Sequence, residues 1–516
     1  MRIEDLLTRN AANLGHRTAL VDSRRRIDYR GLLSESLSLA AALQRRGLVP
    51  GARLAVISAN RIEFIAAAFA CFHAGLIFEP VNFRLSAGEL TRVLDDSAPD
   101  GILVDEGAFP DHADLARRRV GLRTLITVGS PPAGYTFGDG ADSLPDLDTF
   151  RRPSEPSDTA ALLYTGGTTG APKGTVLSHR AWIHASRDGA WALRLTRRDV
   201  SYMCVPLFHV SFVHFLSTFY VGVPTILAER VRPAEIVEAI ANQSVTHTTL
   251  VQATLVDVLD HLEQNPRPLP PLTTLQYGGS PIAPAVIERI RAVFGDVLHQ
   301  NYGSTEAGGA VTCLLPEDHD PRVAGERWGS RVTSAGYAMP GVEVAIFDSG
   351  GRRLGPDEIG DVRVRSESVM DGYWGNAVAT REVLLPDGWL DTGDVGRLDA
   401  DGYLCIVDRK KDMIISGGEN IYARDVEDVL LAHPGVREAA VVGGPNPRLG
   451  EEVIAFVVCR QESGVTEASL LAWVSERLAG YKKPAKIVLE ASLPRTPVGK
   501  VHKPTLRQHM VHGSSQ

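Results

Sequence analysis

Residues 164–174 read YTGGTTGAPKG, and four of these eleven residues are glycine and three are threonine. Glycines let the backbone turn its N–H groups toward an anion, threonine hydroxyls add donors, and Lys173 adds a positive charge. The stretch therefore predicts a phosphate-binding loop, and the apolar run ALLY before it favours a preceding strand over a plain flexible surface loop. A Walker A loop is excluded, because Pro172 precedes Lys173 and Gly174 follows it, where that motif requires Gly-Lys-Ser/Thr.

The loop resembles the ATP-handling signature of the adenylate-forming superfamily, which includes acyl-CoA synthetases, 4-coumarate–CoA ligases, luciferases and nonribosomal peptide adenylation domains. Other stretches resemble the later signatures of that superfamily, in its order and at about its spacing. They are 277–281 (YGGSP), 301–309 (NYGSTEAGG), 387–396 (DGWLDTGDVG), 408–420 (DRKKDMIISGGEN) and 494–500 (PRTPVGK). The resemblance spans roughly residues 15 to 508 and is strongest to the acyl-CoA synthetase and 4-coumarate–CoA ligase type.

The composition is that of a soluble protein of more than one domain. The chain has 516 residues, of which 44% are hydrophobic and 22% charged, and this predicts two or three domains with a sizeable core. A net charge of −8 gives no reason to expect nucleic acid or an anionic membrane as a partner. The five cysteines lie far apart without a CxxC pair, the N-terminus lacks the apolar region of a signal peptide, and no apolar run reaches eighteen residues. We therefore expect a cytoplasmic protein.

Apolar strand-like runs alternate with helix-like periodicity through the first two-thirds of the chain, which predicts an α/β fold with ligand loops at the ends of parallel strands. Predicted strands are 54–58, 101–104, 122–128, 160–164, 225–228 and 273–278, and predicted helices are 61–73, 233–242 and 284–294. Period-two alternation at 336–347 and 360–366 predicts a small β-barrel-like subdomain.

Together with the resemblance, this pattern implies a large N-terminal adenylation domain (1–407) of stacked α/β subdomains, which binds ATP and the acyl group. A hinge (408–412) and a small mobile α+β C-terminal domain (413–516) follow. Helices 423–432 and 467–478 and strands 438–443, 453–459 and 486–490 are predicted in the small domain.

The resemblance assigns the nucleotide site. The β- and γ-phosphates are expected to bind Thr165, Gly166, Gly167, Thr168, Thr169, Gly170 and Lys173. Thr305 is expected to contact the α-phosphate and Glu306 to hold Mg2+, a hard cation that prefers oxygen ligands; taken alone, Glu306 reads equally as a surface carboxylate. Asp394 and Arg409 are expected at the ribose. Gly279, Ser280, Asn301, Tyr302 and Gly303 are expected around the adenine, although a tyrosine at a strand end is often a plain core residue.

The resemblance also assigns the residues of the second domain. Lys500 bridges the substrate carboxylate and the α-phosphate in the family's first step, and Lys503 is the neighbouring alternative. The small domain then rotates about Lys411 and brings Gly417, Gly418 and Glu419 to CoA, with glycines that let the pantetheine arm pass close to the backbone. Lys482 and Lys483 are either contacts of the CoA phosphates or a solubilising patch.

Residues 207–212 (LFHVSF) match the segment that builds the acyl pocket in the family. His209 occupies the position at which amino-acid-activating domains carry an aspartate for the α-ammonium group, so α-amino acids are not expected as substrates; by resemblance, His209 lies beside the carboxylate and gates the site. The other expected pocket residues are small or apolar, which suits an aliphatic or aryl carboxylate. They are Phe208, Ser211, Phe212, Gly278, Gly303, Ser304, Ala307 and Gly308.

The sequence thus predicts an AMP-forming ligase that activates a carboxylic acid with ATP and transfers the acyl group to CoA, with Mg2+ as cofactor and a homodimer as one expected form. The alternative is an adenylating enzyme with a different acceptor, namely a carrier-protein thiol, an amine, or nitrite-activating diazotase-type chemistry. A non-catalytic nucleotide sensor is disfavoured, because Lys173, Glu306, Asp394 and Lys500 are all present.

Overall fold

The computed structural model describes residues 1–119, 121–128, 155–165, 172–279, 282–417, 419–460, 464–496 and 501–512. The chain divides into two compact units. The first comprises Met1–Val344, Val364–Thr392 and Asp401–Leu404, and the second comprises Ala345–Arg363, Gly393–Ala400 and Cys405–Gln516.

The helices of the described residues include most of those that the periodicity predicts. They are α1 (Ile3–Leu14), α2 (Tyr29–Arg45), α3 (Ile62–Ala74), α4 (Ala87–Ser97), α5 (Pro110–Arg117), α6 (His179–Ala192), α7 (Ser211–Val221), α8 (Pro233–Asn242), α9 (Gln252–Gln264), α10 (Pro284–Phe294), α11 (Pro316–His319), α12 (Pro321–Ala324), α13 (Trp328–Thr333), α14 (Ala377–Val383), α15 (Ala423–Leu431), α16 (Glu467–Ser475) and α17 (Lys503–His512).

The strands belong to four sheets in the described part of the chain. They are β1 (Thr18–Val21), β2 (Arg26–Asp28), β3 (Arg53–Ile57), β4 (Ile77–Pro80), β5 (Gly101–Asp105), β6 (Thr124–Val128), β7 (Thr159–Thr165), β8 (Lys173–Ser178), β9 (Ser201–Met203), β10 (Thr225–Leu227), β11 (His247–Leu250), β12 (Thr274–Gly278), β13 (Leu298–Ser304), β14 (Gly309–Leu314), β15 (Tyr337–Ala338), β16 (Val342–Phe347), β17 (Gly360–Ser366), β18 (Gly372–Tyr373), β19 (Leu390–Leu398), β20 (Leu404–Arg409), β21 (Ile414–Ser416), β22 (Glu419–Ile421), β23 (Val436–Asn446), β24 (Gly450–Cys459) and β25 (Lys486–Leu489).

Two large sheets carry the first unit. One has the strand order β18-β8-β7-β4-β3-β5-β6, and the other has the order β15-β14-β13-β12-β11-β9-β10-β1-β2. Their central strands pair in parallel, as in β4 with β3 and β12 with β13, and antiparallel strands close the edges, as in β8 with β7 and β14 with β13. This arrangement confirms the α/β class with parallel sheets that strand–helix alternation predicts.

Local sequence explains how several helices begin. Helices α8 and α10 start at Pro233 and Pro284, because proline has no N–H to lose and its fixed φ suits the first turn. Helix α4 starts at a capping box, in which the Ser86 side chain accepts from the N–H of Glu89 and the Glu89 carboxylate accepts from the N–H of Ser86. Both prolines lie at the predicted first helical residues.

The remaining sheets are smaller. A four-stranded sheet has the order β16-β17-β19-β20, and the last sheet has the order β22-β21-β24-β23 with β25 paired to β24. The stretch predicted as one β segment at 336–347 is split: β15 pairs with β14 of the nine-stranded sheet, and only β16 joins the four-stranded sheet. The sequence pattern did not predict several strands, among them β8, the seven-residue β13, the nine-residue β19 and the short β21 and β22.

An aromatic core holds the first unit together. Phe212 is fully buried and packs against Phe64, Phe78 and Trp182, with ring centroids 6.1, 5.4 and 5.3 Å away. Phe72 extends this cluster by edge contacts to Phe78 and Trp182. Edge-to-face aromatic pairs stabilise a core beyond the apolar area that they bury. The segment that contains the predicted acyl residues is therefore anchored in this core.

Candidate active site

The glycine- and threonine-rich stretch connects two antiparallel strands. Strand β7 ends at Thr165 and β8 begins at Lys173, and the two residues are partners in the ladder. The stretch therefore joins a β-hairpin in the seven-stranded sheet, in contrast to the strand-to-helix connection of a Walker A loop. Gly166, Gly167, Thr168, Thr169 and Gly170 lie outside the described residues.

Two contacts fix the base of this hairpin. The Tyr164 hydroxyl donates to Oδ2 of Asp96 at 2.6 Å, which ties β7 to the C-terminal turn of α4. A side chain at Gly174 would place its Cβ 3.0 Å from Cζ of Tyr164 and 2.8 Å from Cδ1 of Leu162. Glycine at this position therefore lets the tyrosine ring lie against the β8 backbone, and this close approach holds Lys173 at the start of β8.

Glu306 lies in the turn between β13 and β14, and a tyrosine links it to Lys173. The Tyr373 hydroxyl donates to Oε1 of Glu306 at 3.0 Å. Nζ of Lys173 lies 5.0 Å from the centroid of the same ring, within the range of a cation–π contact. Lys173 and Glu306, the two charged residues predicted at the phosphates, thus both contact the side chain of Tyr373. The sequence analysis did not identify Tyr373. The only sign of it in the sequence is the aromatic pair between glycines in DGYWG.

Close backbone approach shapes the turn that carries Thr305 and Glu306. Gly308 has φ +76°, and a Cβ there would lie 1.9 Å from the carbonyl oxygen of Ser368. A Cβ at Gly303 would lie 2.0 Å from the carbonyl oxygen of Gly309. Only glycine fits at either position, so this part of the motif is required by backbone geometry. Thr305 is buried within the turn.

The residues predicted at the adenine lie at the carboxyl ends of two neighbouring parallel strands. Gly278 at the end of β12 pairs with Asn301 of β13, and Tyr302 follows on β13. Gly279 has φ +81°, so the chain turns sharply after β12. The Asn301 side chain is buried, and its Oδ1 has no hydrogen-bond partner among the described residues. Ser280 lies outside those residues.

The predicted acyl segment precedes and opens helix α7. Phe208 is buried and meets the Phe83 ring edge-on, with centroids 5.1 Å apart, whereas Phe212 lies inside the aromatic core. Ser211 donates to the carbonyl oxygen of Pro206 and is the first residue of α7. His209 is half-buried.

Helix α7 packs beside the turn that carries Glu306. A Cβ built at Gly309 would lie 3.4 Å from Cγ1 of Val213, so the start of this helix and the turn from Ser304 to Gly309 are neighbours. Ala307 is buried in that turn, and its N–H donates to Oγ of Ser304 at 3.1 Å. The predicted acyl residues thus converge from three elements, namely α7, the end of β12 and the β13–β14 turn.

His214 lies on the first turns of α7, in the electrostatic range of His209. Burial lowers the pKa of His214 to about 4, and the nearby His209 acts in the same direction. Its Nδ1 has no hydrogen-bond partner in the described ranges. The imidazole of His214 is therefore neutral at physiological pH.

The predicted ribose pair lies in the second unit. Nε of Arg409 lies 2.8 Å from Oδ1 of Asp394, and the aspartate side chain is only 6% exposed. The predicted hinge lysine follows on the same segment. Burial lowers the pKa of Lys411, and the charge of Arg409 lowers it further. Its neighbour Lys410 pairs with Asp361 at 2.7 Å.

Part of the GGEN stretch lies in a short hairpin of β21 and β22. Ser416 of β21 pairs with Glu419 of β22, and Gly417 between them has φ +60° and donates its N–H to the carbonyl oxygen of Leu449 at 2.8 Å. Gly418 lies outside the described residues. The left-handed conformation at Gly417 explains a glycine at this turn.

The C-terminal lysines have different surroundings. Lys503 pairs with Glu427 at 2.8 Å, and Lys482 pairs with Asp425 at 2.5 Å. Lys500 lies outside the described residues, while Arg495 and Val501 on either side of that stretch form an antiparallel bridge. Lys503, the alternative to Lys500 as the catalytic lysine, is thus already paired with a carboxylate.

The described residues show neither a metal-binding cluster nor a helix fit to cross a membrane. No cluster of three or more His, Cys, Asp or Glu side chains in those ranges is arranged to hold a metal ion. None of the helices found there is long and apolar enough to cross a membrane.

Comparison with known proteins covers most of the chain. The AMP-binding enzyme family matches residues 7–374, and the AMP-binding enzyme C-terminal domain matches residues 425–500. Feruloyl-CoA synthase of an Amycolatopsis species is 35% identical over 97% of this chain and 97% of its own. The fatty acid–acyl-carrier-protein ligase ScoC of Streptomyces coeruleorubidus is 34% identical over 94% of this chain and 91% of its own. The solved structure of amide bond synthetase McbA from Marinactinospora thermotolerans superposes with a TM-score of 0.88 at 30% identity, covering 98% of this chain and 99% of that one.

Proposed function

The chain belongs to the family of AMP-binding enzymes, which confirms the resemblance of its motifs, and we propose that it is an AMP-forming acid–thiol ligase that uses CoA. It activates a carboxylic acid with ATP and transfers the acyl group to the CoA thiol. The observation that carries this proposal is the convergence of Lys173 and Glu306 on Tyr373, at the strand that follows the glycine- and threonine-rich stretch. Likeness to a feruloyl-CoA synthase over nearly the full length of both chains favours CoA as the acceptor.

The reaction has two steps. A carboxylate oxygen attacks the α-phosphorus of ATP, the bond to the β-phosphate breaks, and pyrophosphate leaves. The CoA sulfur then attacks the acyl carbon of the acyl-adenylate, and AMP leaves. Because the first step brings an anion toward an anionic phosphorus, the protein must hold the phosphates and neutralise the developing charge, and no protein nucleophile is needed.

The residues of the first unit divide these tasks. Lys173, the first residue of β8, supplies the positive charge for the phosphates. Thr305 contacts the α-phosphate from the turn between β13 and β14. Glu306 fits Mg2+, because this ion is usually held by one or two carboxylates together with substrate phosphates and does not require an all-protein cage. Bound Mg2+ would supply positive charge against the phosphate oxygens. The residues that contact the adenine are Gly279, Ser280, Asn301, Tyr302 and Gly303.

The residues of the second unit serve the ribose and the second step. Asp394, held by Arg409, accepts hydrogen bonds from the ribose hydroxyls. Lys500 acts on the substrate carboxylate during adenylation, and Gly417, Gly418 and Glu419 serve CoA. Lys411 remains the predicted hinge. Its depressed pKa reflects a partly desolvated lysine, which suits a residue that changes its surroundings during a domain movement.

The substrate is an aliphatic or aryl carboxylic acid. Apart from His209, the proposed pocket side chains carry no ionisable group, and His214 at the start of α7 is neutral at physiological pH. An α-ammonium group would find no carboxylate at the position of His209. In this proposal the half-buried His209 lies beside the substrate carboxylate.

The deciding experiment is pyrophosphate release across a panel of aliphatic, aryl and inorganic acids, each with and without CoA, with products identified by mass spectrometry. Acid-dependent release that CoA stimulates, with an acyl-CoA product, supports the ligase. No release with any acid overturns it. Lys500→Ala serves as the internal test: adenylation is expected to fall by orders of magnitude, while thioester formation from a supplied acyl-adenylate is retained. Equal loss of both steps contradicts the separate roles of Lys500 and of Gly417–Glu419.

A second candidate keeps the adenylation step and changes the acceptor. The likeness to a carrier-protein ligase and to an amide bond synthetase favours it, because both are about as similar to this chain as the CoA synthase is. Adenylate formed at full rate without any response to CoA, and then consumed by a carrier-protein thiol, an amine or nitrite, would assign the enzyme to this class.

A further inference from the structure

Tyr373 stands between the two charged groups that the proposed function assigns to the ATP phosphates and Mg2+. It lies on β18, where it pairs with Thr175 of β8, two residues after Lys173. Its hydroxyl donates to Glu306 at 3.0 Å, and its ring lies 5.0 Å from Nζ of Lys173. One side chain therefore touches both groups, through two different parts of its surface.

The backbone on either side of Tyr373 is fixed to both partners. The N–H of Met370 donates to the carbonyl oxygen of Glu306 at 2.9 Å, and the N–H of Trp374 donates to the carbonyl oxygen of Gly174 at 2.7 Å. The N–H of Tyr373 itself donates to Oγ1 of Thr380 at 2.9 Å. The position of the ring is thus determined by three elements before any ligand binds.

We propose that Tyr373 is a positioning residue, which holds Glu306 in the orientation that binds Mg2+ and keeps Lys173 apart from it until the ATP phosphates arrive. A lysine and a glutamate at one site attract each other, and a direct ion pair would withdraw both from the ligand. The ring prevents this pair by offering Lys173 an aromatic face and Glu306 a hydroxyl donor. The inference rests on the proposed function, in that it takes Mg2+ and ATP as the ligands of this site.

A phenol hydroxyl suits this role, because it donates a hydrogen bond to the carboxylate and brings no charge of its own beside Lys173.

The test measures how strongly Mg2+ improves nucleotide binding. Titration calorimetry with the non-hydrolysable analogue α,β-methylene-ATP, with and without Mg2+, gives the two dissociation constants and needs no turnover. Tyr373→Phe removes only the hydroxyl. We expect its Mg2+-free affinity to stay within about twofold of wild type and its enhancement by Mg2+ to fall by about tenfold, the usual size for a hydrogen bond to a charged group.

Tyr403 provides a matched control. Its hydroxyl donates to Oδ1 of Asp318 at 2.7 Å, and the guanidinium of Arg331 lies 3.6 Å from its ring centroid. It therefore combines a carboxylate acceptor and a cation–π contact without any residue assigned to the nucleotide. Tyr403→Phe is expected to leave both dissociation constants unchanged.

Tyr373→Leu extends the comparison, because it removes the ring as well as the hydroxyl. It is expected to weaken Mg2+-free binding too, since Lys173 can then pair with Glu306. Glu306→Gln should reduce the Mg2+ enhancement of nucleotide binding as Tyr373→Phe does. If the two side chains act as a unit, the double variant Tyr373→Phe/Glu306→Gln should have an enhancement no lower than that of the more impaired single variant. This double-mutant cycle tests the positioning role even if Tyr373→Leu is unstable.

The outcomes separate this inference from the proposed function. The positioning role is overturned if Mg2+ enhances nucleotide binding by Tyr373→Phe as strongly as it does for wild type. It is also overturned if the losses of enhancement in the two single variants add up in the double variant. Absence of pyrophosphate release from wild type with every acid refutes the ligase and leaves the calorimetric comparison valid. Absence of any Mg2+ enhancement in wild type refutes both.

Discussion

Glu79 is expected to make the stability of this protein fall as the pH rises through neutrality. The residue lies on β4, between β3 and β7 in the seven-stranded sheet, and its side chain is completely buried. Neither carboxyl oxygen has a hydrogen-bond partner among the described residues. Burial raises the pKa of Glu79 from 4.5 to about 8, and the charge of Asp96 acts in the same direction, against the opposing charges of Arg53 and Arg119.

The sign and size follow from proton linkage. Between pH 4.5 and 8 the folded state keeps the proton that the unfolded chain has lost, so the free energy of unfolding decreases as the pH rises. At 1.36 kcal/mol for each pH unit, the whole window corresponds to about 5 kcal/mol, and the part from pH 6.5 to 8 corresponds to about 2 kcal/mol. Buried histidines act at lower pH. His73 and His247 have pKa values lowered from 6.5 to about 4 and about 3, so their contribution rises with pH and is complete by about pH 6.5.

The perturbation is Glu79→Gln, which resembles the protonated side chain in shape and does not titrate. Urea unfolding followed by tryptophan fluorescence at pH 6.5, 7.25, 8 and 8.5 should show the variant gaining about 2 kcal/mol over wild type between pH 6.5 and 8. Glu4, whose pKa burial raises to about 7, also titrates in this range, but it is present in both proteins and cancels in the difference. Glu326→Gln, at an exposed glutamate, is the control and should parallel wild type.

Two results would refute this reasoning. Wild type and Glu79→Gln could show the same pH dependence from pH 6.5 to 8.5, which would mean that Glu79 is ionised in the folded protein throughout. Infrared difference spectra of the two proteins at pH 6.5 give an independent reading, since a protonated carboxyl group has a carbonyl band that a carboxylate lacks. Absence of that band would place the pKa of Glu79 below this range.

Other substitutions test the turn, the ribose pair and the core. Gly308→Ala should reduce pyrophosphate release by about a hundredfold, because the new Cβ would lie 1.9 Å from the carbonyl oxygen of Ser368; Gly295→Ala has a similar φ of +79° with no atom within 4 Å, and should retain activity. Asp394→Asn should weaken ATP binding by about tenfold in calorimetry while leaving 2′-deoxy-ATP less affected, and equal losses for both nucleotides would remove it from the ribose. Phe212→Ala should lower the free energy of unfolding by about 3–5 kcal/mol in denaturant titration, because Phe212 is fully buried among aromatic rings; a loss under 1 kcal/mol would contradict that packing.

Much of the fold could be read from local sequence signals. Helices α8 and α10 have the predicted bounds, and strands β3 and β12 lie within one residue of prediction, since apolar periodicity and helix-starting prolines are local properties of the chain. Several strands were missed, among them β8, β13 and β19, in which glycines and polar residues interrupt the apolar alternation, and the short β21 and β22; their pairing partners stabilise them.

The site divides in the same way. The chemistry of residues 164–174 alone predicts a phosphate loop with Lys173, whereas Thr305, Glu306 and Asp394 are expected nucleotide contacts only through the resemblance of their motifs to the family. The role of Tyr373 has no comparable signal, since it depends on a hydroxyl reaching Glu306, 67 residues away along the chain.

By itself, the sequence determined the α/β class, because periodicity is carried by the residues themselves, and its motifs identified the family by resemblance. The backbone freedom and charge of residues 164–174 also predict a phosphate site. Only the tertiary structure decided that the phosphate stretch joins a β-hairpin, that Phe212 lies in the aromatic core and that Glu79 is buried without a partner. These features arise when distant segments pack together, and packing sets which atoms meet and how far water is excluded from them.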